Sequence, residues 1–257
     1  MTLRALVAGA GYVGTALAER LVARRDAVTV LRRSDTPAPA GARGFRADLV
    51  APGALRDLPE SDVVFYLASA DTRTDAAYRA AYATGVSRLV ERLARQAVAP
   101  RLLLYVSSTA VYGQRDGEWV DETSPTEPLD FTGRRLLEGE AVVHAAPFPS
   151  AVLRLGGIYG PGRVSLLERV RSGAARSTGR FTNRIHRDDA AAALAHLAAL
   201  PEAPPCTLGV DSAPVPDALV LAWLAERLGV PVPPAAEAPA LGRSATNKRC
   251  SNARLLA

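Results

Sequence analysis

The residues best suited to chemistry stand at the start of the chain. Gly9-Ala10-Gly11-Tyr12-Val13-Gly14 follows an apolar run at 3–8 and precedes a helical pattern over 15–25. Between a strand and a helix, this G-x-G-x-x-G spacing is the pattern of a dinucleotide pyrophosphate cradle. Gly9 permits the tight turn, Gly11 lets the backbone approach the pyrophosphate, and Gly14 lets helix and strand pack closely. The helix start adds free N–H groups and the positive end of a dipole. The end of the next apolar run, Val30-Leu31-Arg32-Arg33-Ser34, bears on which dinucleotide is bound. An acid there would hold a ribose 2′-hydroxyl, whereas two guanidiniums and a hydroxyl suit a 2′-phosphate. NADP(H) is therefore the expected cofactor, with NAD as the alternative. A solvated arginine pair is the competing reading.

These groups need a scaffold, and the hydrophobic pattern supplies one. Apolar runs at 3–8, 27–31, 45–49, 62–68, 102–106 and 151–155 alternate with helical patterns at 15–25, 75–96 and 133–144. Such alternation predicts an α/β fold, a doubly wound Rossmann sheet of parallel strands covered on both faces. We assign 1–160 to this dinucleotide-binding domain and 161–257 to a small C-terminal α/β substrate lobe interleaved with it. The lobe is predicted to hold helices at 164–171, 188–200 and 216–228, a strand at 207–210 and a Pro/Ala-rich stretch at 231–239. The segment 114–130, with Pro125 and Pro128, reads as a long loop, a type often used for function. Tyr78 and Tyr82, one helical turn apart, read as core. Asp121 and Glu122 read as solvated loop, and Glu138 and Glu140 as an exposed helix face.

Composition removes several alternatives. With 257 residues, 48% of them apolar and 22% charged, the chain can bury a sizeable core. No run approaches the ~20 apolar residues of a membrane helix, and no cleavable leader is expected ahead of the first strand. Two cysteines, Cys206 and Cys250, and three separated histidines give neither a disulfide framework nor metal-ligand spacing. A net charge of +5 raises the question of nucleic acid, but the basic residues are scattered and aromatics make up only 5%. The expectation is a cytoplasmic, metal-free protein acting on a small molecule, with no nucleic-acid or membrane partner. Of the 31 basic residues, all but Lys248 are arginine.

Several further segments carry a family resemblance. They are Ala47-Asp48-Leu49, Tyr66-Leu67-Ala68-Ser69-Ala70, Val106-Ser107-Ser108-Thr109-Ala110-Val111-Tyr112-Gly113, Arg154-Leu155-Gly156-Gly157-Ile158-Tyr159-Gly160-Pro161-Gly162 and Arg184-Ile185-His186-Arg187-Asp188-Asp189-Ala190. With the glycine turn, they resemble the extended short-chain dehydrogenase/reductases, the NAD(P)-dependent epimerases and dehydratases. The resemblance implies that Tyr12 and Val13 complete the cofactor-binding turn and that Asp48 and Leu49 flank the adenine. It also implies that Leu67, Ala68 and Ser69 line the back of the nucleotide and that the turn from Gly156 to Tyr159 lies by the nicotinamide. Ser108 is implied to hydrogen-bond a substrate oxygen, and 185–189 to tie the lobe to the main domain.

One departure is sharp. The family carries Tyr-x-x-x-Lys on the helix after the long loop, where this chain reads Thr132-Gly133-Arg134-Arg135-Leu136-Leu137-Glu138-Gly139-Glu140. Aligned on the glycine, the tyrosine has become Thr132 and the lysine Leu136, and the one lysine lies far off in the tail. A threonine hydroxyl is far less acidic than a phenol of pKa ~10, so the usual relay is absent. The pattern resembles the atypical, YeeZ-like branch, as does 246–255. Members of that branch continue further, so the lobe is expected to be slightly short. Substitutes for the tyrosine are Tyr112 and Tyr159, both in turns at strand ends, with Ser108 as the carbonyl anchor. Thr109, Thr132, Arg135 and His186 are candidates for substrate contact. Packing competes as a reading for the two tyrosines, helix capping for His186 and a solvated helix start for Arg135. Two functions stay open: an NADP(H)-dependent oxidoreductase or epimerase-like enzyme, and a non-catalytic nucleotide-binding sensor. A homodimer through paired helices is expected by family analogy.

The arginine assignment predicts that changing both Arg32 and Arg33 to alanine weakens NADPH binding far more than NADH binding. Equal loss for both nucleotides in a calorimetric titration would contradict it.

Overall fold

The computed structural model describes residues 2–237 and 245–257; positions 238–239 of the predicted Pro/Ala-rich stretch lie outside them. The central sheet consists of β1 (Arg4–Ala8), β2 (Ala27–Arg32), β3 (Arg43–Arg46), β4 (Val63–Tyr66), β5 (Leu102–Ser108), β6 (Ser150–Leu155) and β7 (Cys206–Gly209). All seven are parallel, in the order β7-β6-β5-β4-β1-β2-β3. The order reverses beside β1, and a crevice outside the strands' carboxyl ends at such a point is where open α/β sheets bind ligands.

Alternate residues of each strand go to opposite faces, which explains the near-continuous apolar runs. One face carries Val7, Val30, Phe65, Leu104 and Leu153. It is covered by α1 (Tyr12–Ala23), through Leu17 and Leu21, and by α6 (Arg187–Leu197), through Ala190 and Leu194. The other face carries Leu6, Val64, Tyr66, Leu103 and Tyr105, packed against Val86, Leu89 and Leu93 of α3 (Gly85–Ala94) and Val143 of α4 (Phe131–His144). Both α6 and β7 come from the C-terminal third of the chain, so that third is built into the main layers. Its outer part is α5 (Ser165–Arg171) against α7 (Asp217–Leu228), which ends at the left-handed Gly229 (φ 64°). No helix among the described residues is long and apolar enough to cross a membrane.

Four local expectations are revised. The third strand occupies Arg43–Arg46 rather than 45–49. The helix predicted at 75–96 is interrupted: α2 (Asp75–Tyr78) runs into a π-helical turn (Arg79–Thr84) before α3. Buried tyrosines take two of that turn's carbonyls. The Tyr66 hydroxyl donates to the Ala81 carbonyl, and the Tyr105 hydroxyl donates to that of Tyr82 at 3.1 Å. Within the predicted long loop, Glu118–Val120 pairs in parallel with Lys248–Cys250, so the C-terminal segment clamps it. Tyr78 and Tyr82 are half-buried rather than fully in the core: their rings are tilted against each other at 5.1 Å, with Phe131 edge-on to Tyr78, and Tyr82 packs against the core.

Two acids expected at the surface are buried. Glu140 is only 4% exposed; its carboxylate accepts from Arg154 at 3.0 and 2.7 Å and from Ser107 Oγ at 2.5 Å. Arg154 in turn donates to the Tyr112 hydroxyl at 2.7 Å. Glu122 accepts the Leu208 N–H at 2.8 Å, which satisfies a donor on the outer edge of β7. In both cases the partner is distant in sequence, so helical or loop patterning could not report it. Removing one partner of a buried pair leaves the other charge uncompensated. Glu140→Ala is therefore expected to cost about 3–5 kcal/mol in urea unfolding. A loss below about 1 kcal/mol, the range of an exposed pair, would contradict this account.

Candidate functional site

A cleft of about 670 Å³ opens over the carboxyl ends of β1, β2 and β4. Three glycines shape its floor, each for a different reason. Gly9 has φ 96°, and a Cβ there would collide with the backbone of Leu67 and Ala68. Gly14 sits so close to the Gly9 carbonyl that a Cβ would lie 2.6 Å from it, which is the close packing of helix on strand. Gly11 differs from both: a Cβ there would meet no protein atom within 4 Å. Nothing in the protein fills the space its missing side chain leaves, and that space belongs to the cleft. Gly11 is also the N-cap of α1, with no side-chain cap and no acid in the first turn. The helix thus presents free N–H donors and its positive end to the cleft, an arrangement that can receive a diphosphate.

The walls are chemically distinct. Leu49, Leu67, Ala77, Ala80 and Ala81 form an apolar side, the alanines coming from α2 and the π-helical turn. Their small side chains leave room for a flat aromatic base. Asp48, Ala68 and Ser69 also line the cleft. Opposite lie Arg32, Arg33 and Ser34. Arg32 is pinned: it donates to the Pro37 carbonyl at 2.9 Å and to Thr15 Oγ1 at 3.2 Å. Its Nε is buried without a partner. Arg33 reaches across to Asp71 at 2.5 Å, and Ser34 donates to the Thr36 hydroxyl at 3.0 Å. Asp71 is a cleft residue that no sequence motif singles out, because only the fold brings it opposite Arg33.

Beyond the first turn of α1, a second group gathers. The Tyr12 hydroxyl donates to the Pro161 carbonyl at 2.8 Å, while Val13 is buried in the core. A Cβ on Gly160 (φ 140°) would stand 2.9 Å from the Tyr12 hydroxyl and 3.0 Å from His186 Nε2. Tyr159 is 47% exposed, with its ring edge-on to His186 at 5.3 Å. His186 Nδ1 accepts the Asp188 N–H at 3.3 Å and so caps α6. Gly156 packs against the Asn183 carbonyl.

The candidates for proton transfer fare unequally. Ser108 ends β5, and its Oγ accepts the Ala110 N–H at 3.2 Å. Tyr112 does not reach the cleft, which corrects its expected role. It is fully buried, donates to the Asp121 carbonyl at 2.7 Å and receives Arg154. Burial pushes its phenol above the ordinary range, against the opposing pull of Arg154. Thr109 is buried in the turn after β5. Thr132 is 1% exposed and donates to Asp130 at 2.5 Å. Leu136 is buried against Ala110, Val111 and Leu208. Arg135 is engaged by Asp75 at 2.8 and 2.7 Å and by Glu138, which ties α4 to α2 rather than leaving it for a ligand. Lys248, remote in sequence, is buried beside Tyr112, and its Nζ donates to that residue's carbonyl and to Thr246 Oγ1, both at 3.1 Å.

The sequence profile of the NAD dependent epimerase/dehydratase family matches residues 5–202. The chain belongs to that family. Among solved structures, one from Methylobacillus flagellatus assigned to the NAD-dependent epimerases/dehydratases is 36% identical. That match covers 100% of this chain and 91% of the other, with a TM-score of 0.83. A conserved protein of unknown function from Silicibacter pomeroyi is 31% identical over 99% of this chain and 91% of its own, at TM-score 0.78. The human epimerase family protein SDR39U1, solved with NADPH, shares the fold at 24% identity and TM-score 0.79, covering 99% and 92%. No curated protein sequence matches the chain. Others that share the fold at 18–21% identity were solved with NAD.

The roles of the first two glycines of the turn are separable by mutation. Gly9→Ala combines a positive φ with a backbone collision and is expected to destabilise the fold by at least ~1–3 kcal/mol. Gly11→Ala points into open cleft and is expected to leave the melting temperature nearly unchanged while weakening dinucleotide binding. Equal effects of both on stability would contradict the assignment.

Proposed function

We propose that the chain binds NADP(H) in this cleft and acts as an oxidoreductase or epimerase-like enzyme on a small carbonyl or imine substrate. On this reading it sits in the YeeZ-like branch of its family and works without the Tyr-x-x-x-Lys relay. The observation that carries the reading is the uncapped start of α1 beside Gly11, whose missing side chain leaves unfilled space in the cleft. When bound, the nicotinamide supplies or accepts a hydride. The protein's part is positioning. Ser108 stands at the carboxyl end of β5, where α/β sheets take their ligands. Its Oγ accepts from Ala110, and its own hydrogen has no acceptor among the described residues, so it can donate to a substrate oxygen or nitrogen. With Tyr112 buried and Thr132 turned to Asp130, the proton comes from water or from the substrate itself.

One observation favours a second reading. Helix α4 carries no tyrosine and no lysine, and Thr132, at the aligned tyrosine position, is buried and already hydrogen-bonded. A non-catalytic sensor of the NADPH/NADP⁺ ratio would look the same there. Such a sensor must bind the two forms with different affinity, since equal affinities shift nothing.

Turnover separates the two. NADPH oxidation is followed against a panel of small aldehydes, ketones and imines. The enzyme reading expects turnover that Ser108→Ala reduces about a hundred-fold, the loss typical of one missing oxyanion donor, with NADPH affinity unchanged. Unchanged turnover removes Ser108 from the mechanism. NADPH bound without turnover on any substrate, and more tightly than NADP⁺, favours the sensor.

A further inference from the structure

Of the two arginines at the end of β2, only one can change partners. Arg32 holds Thr15, Thr36 and Pro37 together and so fixes the loop after β2 to α1. Among the described residues Arg33 makes a single hydrogen bond, to Asp71 on the opposite rim of the cleft. Asp71 likewise has no other hydrogen-bond partner among the described residues. Both side chains are mostly in water, 62% and 67% exposed, so the pair is weak and screened and can open readily. Asp48 adds a second, weaker attraction on Arg33, while one of its own oxygens is committed to the Val50 N–H.

We propose that Asp71 occupies, on Arg33, the place of the cofactor's 2′-phosphate, and so sets how strongly the cleft prefers NADP(H) over NAD(H). This rests on the dinucleotide reading above and sharpens it. A carboxylate and a phosphate oxygen are equivalent acceptors for a guanidinium. A 2′-phosphate entering the cleft must take Arg33 from Asp71. A 2′-hydroxyl carries no charge and competes for nothing. Asp71 therefore opposes the phosphorylated cofactor selectively, and Arg33 is the residue through which it does so. The cleft's two arginines face two carboxylates, so its phosphate preference depends on this exchange rather than on a surplus of positive charge.

The test is a set of calorimetric titrations with NADPH and NADH on the wild type, Asp71→Asn, Arg33→Ala and the double variant. Asp71→Asn is expected to tighten NADPH by about five-fold, the upper range for an exposed pair, while NADH changes by less than about two-fold. In the Arg33→Ala background the gain from Asp71→Asn should disappear. An unchanged NADPH affinity in Asp71→Asn overturns the proposal, as does an equal gain for both nucleotides or a gain that persists without Arg33. If NADH binds and these differences are absent, the proposal fails and the cofactor reading stands. If no variant binds either nucleotide, both fail together.

Discussion

The backbone of Gly9 lies directly against the backbone of Leu67 and Ala68, and the cleft takes its shape from that approach. It brings the ends of β1 and β4 together and starts α1 at Gly11. Because the contact is between main chains, it tolerates no side chain at position 9. The floor is therefore fixed before any ligand arrives, which is what positioning chemistry requires. The apolar wall depends on a second main-chain irregularity. The π-helical turn after α2 directs its carbonyls to the hydroxyls of Tyr66 and Tyr105, and Ala80 and Ala81 of the same turn face the cleft. Single π-helical turns often accompany functional sites, and here the turn lines one.

Charge is used in two ways. In the interior, Glu140, Arg154, Ser107 and Tyr112 form a satisfied network that ties α4, β5 and β6 together. At the cleft rim, Arg33 and Asp71 meet in water and hold each other only weakly. The first arrangement keeps the scaffold in one state. The second leaves a guanidinium available to a ligand. The phenol that the sequence suggested as a proton donor belongs to the interior set, which is why it cannot serve the cleft.

Much of this was legible from residue types and spacing. The parallel sheet followed from the alternation of apolar runs with helical patterns, and the glycine turn from its place between a strand and a helix. The helix expected at 216–228 is observed at Asp217–Leu228, ended by the left-handed Gly229. What could not be read depended on partners distant in sequence. Glu140 looks like an exposed helical acid until Arg154 is placed beneath it, and Glu122 looks solvated until the edge of β7 is beside it. Lys248 seemed remote, yet pairing of its strand with Glu118–Val120 buries it against Tyr112. Arg32 and Arg33 are adjacent and chemically identical, so only the fold could distinguish the fixed one from the one held by a single exposed carboxylate.

The central claim is that the cleft holds a phosphorylated nicotinamide dinucleotide. The most direct measurement is calorimetric titration of purified, nucleotide-stripped protein with NADPH, NADP⁺, NADH and NAD⁺. The account predicts saturable binding of one molecule per chain, tighter for the phosphorylated pair. Folded protein that binds none of the four would contradict it and would leave a chain that has kept the fold without the cofactor.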